Sequence, residues 1–418
     1  MRLARRSALT LLGSTALLGA SSLTGGIRPA RAAQKSVTIG ITLPFTGAGA
    51  EDATNILHGA VLAIEEANAK GGPGGYDVKI LTLDNGTATA GQYDPAQAAT
   101  NARKMVSDPS VVGAIGPMAS GSGKAMAPLL SQGDLAIVTP SSTNPDLTDP
   151  KFAAQYRPAG KAIYFRTVTT DAFQGPNMAN FMADKLKVKS VFVLDDTGAY
   201  GVGLADAFQA QAAKRGITVL GRDRVDPLQS DYRPVLTKIH SLNAQSIYCG
   251  SSALAGVKLV KQSYEIMPDI VKAGGDGMHQ QSVLAGAGFP AVQGWYSTIA
   301  APHMLDDAKL SPWVANYQKR WGNLPSDYAI TAYDASLVVL AAIAAVAKSG
   351  AEVTRSAVRD AIQAGKVDTL QGTLAFDANG DLASHVVSVF QVQHDTAYPP
   401  NDAVHQFKYI GMALADST

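Results

Sequence analysis

Val111–Thr148 reads VVGAIGPMASGSGKAMAPLLSQGDLAIVTPSSTNPDLT. Two short apolar runs, Val111–Ile115 and Leu135–Val138, each sit between turn formers, as buried parallel strands do. The stretch between them has the length of one helix. The expected order is strand, small-residue loop, helix, strand, small-residue loop. Both loops then leave the carboxyl ends of neighbouring parallel strands, where open α/β sheets bind ligands. They carry Ser120, Ser122, Ser141, Ser142 and Thr143 and almost no charge. Hydroxyls and the free backbone N–H groups of a helix start can hold a carboxylate. The stretch therefore predicts an α/β fold and a site for a small molecule with an anionic end.

The same alternation extends in both directions. Val37–Leu43 is the first expected strand, followed by a loop over Pro44–Ala53. A helix is expected over Ala53–Lys70, because Ile56, Leu57, Ala60, Val61, Ile64 and Ala67 form one apolar face. Gly71-Gly72-Pro73 ends it. Asp77–Asp84 is the next strand, and Pro95 opens a helix to about Ser107. Downstream, strands at Tyr164–Val168, Ser190–Leu194, Thr218–Leu220, Ser246–Cys249 and Ile270–Ala273 alternate with helices at Phe173–Lys185, Val202–Arg215, a segment capped by Asp231 and reaching Leu242, and Leu254–Tyr264. Such alternation means a doubly wound parallel sheet. One sheet would need too many strands, so two similar lobes are expected.

The tail differs. Pro312–Trp321, Tyr328–Lys348 and Thr354–Gln363 read as helices. Gly372–Asp381 reads as a strand and a tight turn, with Asp377-Ala-Asn-Gly380 supplying the turn chemistry. Val386–Gln393 and Phe407–Ile410 are late strands. No low-complexity linker separates the lobes, so the chain is expected to cross between them near Val168–Thr170, Ser297–Ala301 and Ser384–Ser388, forming a three-segment hinge. The lobes would be 33–168 plus 301–384, and 169–300 plus 385–418.

At 418 residues, 46% hydrophobic and 17% charged, the chain has the composition of an ordinary two-domain globular protein. Residues 1–32 read as an export signal. Arg2, Arg5 and Arg6 form a basic start, residues 7–27 carry no charge, and Ala30-Arg31-Ala32 supplies small residues for cleavage. Arg5-Arg6 followed by Ser-Ala-Leu resembles a twin-arginine signal, with Ala8 where a larger apolar residue is usual; a general secretory signal is the alternative. The uncharged run is also long enough for a membrane anchor, but Gly13, Ser14, Thr15, Gly19, Ser21 and Ser22 dilute it. No cysteine near the cleavage region offers a lipid attachment point. Removing residues 1–32 removes five arginines and no acid, so the formal charge moves from +1 to −4. Such a protein has no electrostatic reason to seek nucleic acid or an anionic bilayer. The single cysteine, Cys249, forbids an internal disulfide and lies in the apolar strand SIYCG, as a buried inert thiol would.

Motifs for catalysis are missing. A phosphate loop at Gly121-Ser-Gly-Lys124 would need glycine at Met118 and serine or threonine at Ala125. No G-x-G-x-x-G follows the first strand, no G-x-S-x-G elbow exists, and the seven histidines form no H-E-x-x-H. One cysteine cannot build a thiolate metal site. The expectation is a protein without catalytic residues, metal or cofactor. Ser120 and Thr143 also have a plain reading as helix caps.

Several stretches in order resemble the leucine/isoleucine/valine-binding proteins, type I periplasmic solute-binding proteins that serve ABC importers. They are GITLPFTG at Gly40–Gly47, HGAVLAIEEANAKGG at His58–Gly72, AIGPMASGS at Ala114–Ser122, TPSSTNPDLT at Thr139–Thr148, YFRTVTTDAFQGP at Tyr164–Pro176, AYGVGLADAF at Ala199–Phe208 and GTLAFDANGDL at Gly372–Leu382. The resemblance implies a two-lobed Venus-flytrap fold that closes on an amino acid and delivers it to a membrane permease in the inner membrane. It implies that Ser120, Ser141 and Thr143 hold the ligand's carboxylate, with Ser142 in the same ligand-binding loop, and that Asp276 neutralises its ammonium. Asp171 matches a conventional aspartate at the first crossover, and Tyr200 the tyrosine that closes from the second lobe.

The chain also departs from that pattern. Ser252 stands where an aromatic lines the side-chain pocket. Glu51-Asp52 stands where leucine binders place an aromatic, and 86–94 is longer than usual and brings Tyr93. A larger or more polar ligand, such as an amide, urea or aromatic carboxylate, fits these departures. A sensor that reports the ligand to a receptor is the alternative to transport.

Overall fold

The computed structural model describes residues 35–413; the export signal read in residues 1–32 lies outside them. Strand β1 (Ser36–Leu43) is buried along all but its first residue. It pairs in parallel with β2 (Asp77–Asp84). A small antiparallel pair follows, β3 (Gly86–Thr87) with β4 (Gln92–Tyr93). On its other side β1 pairs with β5 (Val111–Ile115), and the sheet continues through β6 (Ile137–Thr139) and β7 (Tyr164–Arg166). The order is β2-β1-β5-β6-β7, with all strands parallel.

Helices cover both faces. Ala50–Ala69 and Asp327–Lys348 pack on one. Pro95–Ser107, capped by the Asp94 carboxylate, and Ser120–Gln132 pack on the other. The two long helices cross closely at Gly59, where a Cβ would lie 2.0 Å from the Ala329 carbonyl oxygen. Asp327–Lys348 is long and apolar enough to cross a membrane. It is 78% buried over its most apolar window, as the central helix of a core is.

The second sheet contains β8 (Ser190–Asp195), β9 (Thr218–Arg224), β10 (Ser246–Gly250), β11 (Val271–Gly274) and β12 (Tyr296–Ile299). A hairpin of β13 (Val367–Thr369) and β14 (Gly372–Leu374) belongs to neither sheet. Strands β15 (Val387–Val392) and β16 (Phe407–Ala413) return to the second sheet, whose order is β16-β15-β12-β11-β10-β8-β9. Asp171–Asp184 and Ala199–Lys214 pack on one face; Arg233–Ser241 and Ala253–Ile266 pack on the other. Cys249 is fully buried there, and burial pushes its thiol pKa up.

The parallel part of each sheet has one order: the first strand lies between the second and the third. The winding direction reverses between β1 and β5, and again between β8 and β10. Ligands bind outside the carboxyl ends of strands at such switch points.

Four details differ from the sequence reading. The second sheet is mixed, because β12 pairs antiparallel with β15 and β15 with β16. Asp231 does not cap the helix after it. Tyr232 takes that place without a side-chain bond, and Asp231 Oδ1 accepts from the Arg233 N–H. Strand β7 stops at Arg166, since the following threonines belong to the crossing. The strand read at Gly372 pairs backwards with β13, while the Asp377 turn closes only the bridge between Phe376 and Leu382.

The chain passes between the sheets after β7, after β12 and before β15. These passages lie side by side: the Thr169 N–H donates to the Ala300 carbonyl at 2.8 Å, and Ser388 Oγ donates to the Ala301 carbonyl at 2.8 Å.

Candidate functional site: the cleft between the switch points

The loops at the two switch points face each other across a cleft of about 550 Å³, part of it open to solvent. Pro44, Ala48, Met118, Ala119, Ser120 and Ser141 line it from the loops after β1, β5 and β6, and Gln92 and Tyr93 from β4. Tyr200, Ser252, Ala253, Asp276, Gly277 and Gln280 line it from the second lobe, and Tyr328 from the start of the long apolar helix.

The first wall is neutral and rich in hydrogen-bonding groups. Ser120 opens the helix Ser120–Gln132. The preceding cap residue, Ala119, brings no side-chain acceptor to the first-turn N–H groups, so they can serve an anion. Ser120 Oγ accepts from the Asn144 N–H at 3.2 Å and lies 3.4 Å from Ser142 Oγ. Ser141 Oγ donates to the Met118 carbonyl at 3.2 Å. Ser142 and Thr143 sit behind this wall. The Ser142 N–H donates to Thr139 Oγ1, and the Thr143 carbonyl accepts from the Asp171 N–H.

The second wall centres on Asp276. Its Oδ1 accepts from the Tyr200 hydroxyl at 2.5 Å and from Gln174 Nε2 at 3.0 Å; its Oδ2 accepts from the Tyr328 hydroxyl at 2.5 Å. Tyr200 in turn accepts from the Gly277 N–H at 3.0 Å. Burial raises the pKa of Asp276, and the three donors oppose that rise. Asp171 lies behind Asp276, and the two carboxylates share Gln174 Nε2. Burial and then the Asp276 charge push Asp171 up to about 8, so it keeps its proton near neutral pH. Among the described residues, Asp276 is the one carboxylate that lines the cleft, and no Lys, Arg or His lines it. The nearby Arg166 is fully buried and engaged with Asp381, the Ser142 carbonyl and Thr148.

Of the residues singled out from sequence, Ser120, Ser141, Tyr200, Ser252 and Asp276 meet in the cleft wall, while Ser142, Thr143 and Asp171 form the layer behind it. Tyr93 reaches the cleft, as its long segment suggested. Glu51 and Asp52 do not line it. They lie in the first turn of Ala50–Ala69 and bond across to the second lobe. Gln281 Nε2 donates to Glu51 at 2.6 Å, while the Gln281 N–H and Ser282 Oγ both donate to Asp52 at 3.1 Å. Burial raises Asp52 to about 6 against those bonds. Asn144 Nδ2 makes a further tie, donating to the Ala199 carbonyl at 2.7 Å. Sequence reasoning missed Tyr328, Gln174 and Gln92. Tyr328 was read only as the first residue of a helix, and its position just inside that helix start was the available signal.

Residues 36–397 match the family described as periplasmic binding protein. Leu/Ile/Val-binding protein homolog 3 of Brucella melitensis is 32% identical over 377 residues, covering 90% of this chain and 96% of the relative. A leucine-binding protein from Thermotoga maritima superposes with a TM-score of 0.77 at 24% identity, covering 91% of this chain and 100% of that one. A solute-binding protein from R. palustris, solved with benzoate, superposes with a TM-score of 0.73 at 18% identity, covering 91% and 98%. Both structures share the fold. With its two switch points facing one cleft, and by this match over most of its length, the chain belongs to the periplasmic binding protein family.

Proposed function

We propose that this chain binds an amino acid in the cleft between its lobes and delivers it, unaltered, from the periplasm to an ABC permease in the inner membrane. The observation that carries the amino-acid reading is the charge of the wall. Among the described residues, Asp276 is the one carboxylate in the wall and none there is cationic, while the opposite side offers hydroxyls and a helix start. A buried zwitterion needs partners for both of its ends. Here Asp276 takes the ammonium, and Ser120 and Ser141 take the carboxylate with the first-turn N–H groups. Ser142 and Thr143 hold the second loop in place, and Asp171 sets the electrostatics behind Asp276. A carboxylate lacking the amine, such as benzoate in the R. palustris protein, would bring an anion to Asp276 and leave its charge unpaired. In this reading 33–168 plus 301–384 and 169–300 plus 385–418 move as two bodies about the three passages, and Tyr200, Asp276 and Tyr328 meet around the ligand on closure.

The test uses residues 33–418, unfolded and refolded to strip carried ligand. Thermal shift is measured with amino acids and with the matching carboxylates that lack the amine. A large upward shift from a group of amino acids supports the reading. Stabilisation by the carboxylates alone refutes the role of Asp276, and a bound compound altered over hours would refute the non-catalytic role.

A further inference from the structure

The cleft wall holds a second polar cluster, separate from Asp276. Ser252 Oγ lies 2.8 Å from Asp196 Oδ2 and 2.9 Å from Gln92 Oε1. The Ser252 N–H also donates to Asp196 Oδ2 at 2.8 Å, and the Gly198 N–H donates to Asp196 Oδ1 at 3.0 Å. Asp196 is 2% exposed, and the arginines of its strand neighbours bond to Asp195 instead. A hydroxyl has one proton to give. The Asp196 carboxylate, as the stronger acceptor, draws it. Gln92 Oε1 therefore shares its one donor with a carboxylate and keeps capacity to accept a further hydrogen bond in the cleft wall.

The cleft also has apolar lining, from Pro44, Ala48, Met118, Ala119 and Ala253 and the tyrosine rings, so the Gln92–Ser252 cluster is a polar spot within it. A branched aliphatic side chain placed there would cover Gln92 and Ser252 without pairing them. Sites built to hydrogen-bond a ligand reject the analogue lacking the group, because their own polar atoms are left unpaired. Resting on the amino-acid reading above, we infer that Gln92 and Ser252 set specificity, selecting an amino acid whose side chain donates a hydrogen bond through a hydroxyl or primary amide over a branched aliphatic one.

Two pairs of nearly equal shape test this: asparagine against leucine, and threonine against valine. Calorimetric titration of the refolded wild-type protein is expected to favour the polar member of at least one pair by about tenfold or more. In the double variant Gln92→Met with Ser252→Ala that ratio is expected to collapse or reverse. Ser252 caps its helix without a side-chain bond, so the alanine removes no capping interaction. Leucine and valine binding as tightly as their polar counterparts to wild type would overturn the inference and leave the amino-acid reading standing. A double variant that keeps the wild-type ratio would overturn the role of these two residues. If neither pair binds while a carboxylate without the amine does, the amino-acid reading falls and the inference with it.

Discussion

Replacing Asp276 by asparagine keeps the volume of the side chain and removes the one carboxylate among the described residues that line the cleft. In the bound state the ligand's ammonium would lose its one counter-charge, at a site where Asp276 is only 7% exposed. Removing one member of a buried, hydrogen-bonded charge pair costs about 2–5 kcal/mol. At about 1.4 kcal/mol per factor of ten, the dissociation constant should rise roughly 30- to 4,000-fold. The unliganded variant should remain folded. Burial disfavours the Asp276 charge, so its removal relieves a cost while the amide can still meet the hydroxyls of Tyr200 and Tyr328. Calorimetric titration supplies affinity and thermal unfolding supplies the fold control. Each protein is titrated with a bound amino acid and with the same molecule lacking its amine. Wild type should prefer the amino acid, and that preference should vanish in the variant, closing a double-mutant cycle. Equal affinity of variant and wild type, or a preference for the amine that survives the substitution, would refute the pairing.

Three further outcomes are expected. Asp171 has its pKa raised from 3.8 to about 8 on folding, so the folded chain binds its proton more tightly than the unfolded one. That contribution is complete below about pH 4 and is lost as pH rises through 8, so Asp171→Asn should flatten the fall in melting temperature over this range, by the equivalent of a few kcal/mol; a variant that tracks the wild-type profile would exclude Asp171 as the source. Tyr328→Phe removes the hydroxyl that bonds Asp276 Oδ2 from the other lobe. It should weaken binding by about 1.5–3 kcal/mol with little change in unliganded stability, and an unaltered titration would place Tyr328 outside the closed site. Ser120→Ala should cost about 1–2 kcal/mol of binding to amino acids and to their des-amino analogues alike, since it acts on the carboxylate end; a loss confined to one of the two ligands would contradict that placement.

The first loop cluster was legible because short buried strands and small-residue loops are local signals. Val111–Ile115 became β5 and Ser120 reached the cleft by the same pattern that marked them. Asp276 was placed by family likeness alone, since nothing in AGGDGM distinguishes it from a solvated loop acid. The antiparallel pairing of β15 and β16 could not be read, because alternation with helices specifies parallel neighbours only while the helices last. Gln174 and Gln92 escaped for a related reason. An amide acquires its role from what faces it, and Asp276 lies 102 residues from Gln174 in the chain. Glu51 and Asp52 were placed too near the ligand, because the helix begins at Ala50 and carries both acids around the rim.

The rim bonds from Gln281 and Ser282 to Glu51 and Asp52, and from Asn144 to Ala199, lie outside the set of residues that would touch a ligand. If the lobes close as proposed, these bonds favour the closed arrangement whichever compound is bound. Apparent affinity is intrinsic affinity scaled by the fraction of molecules in that arrangement. A change at Glu51 or Gln281 therefore scales the affinity for every ligand by one common factor and leaves their ranking untouched. Sensitivity and selectivity are in this way written in different residues, and each can drift without disturbing the other.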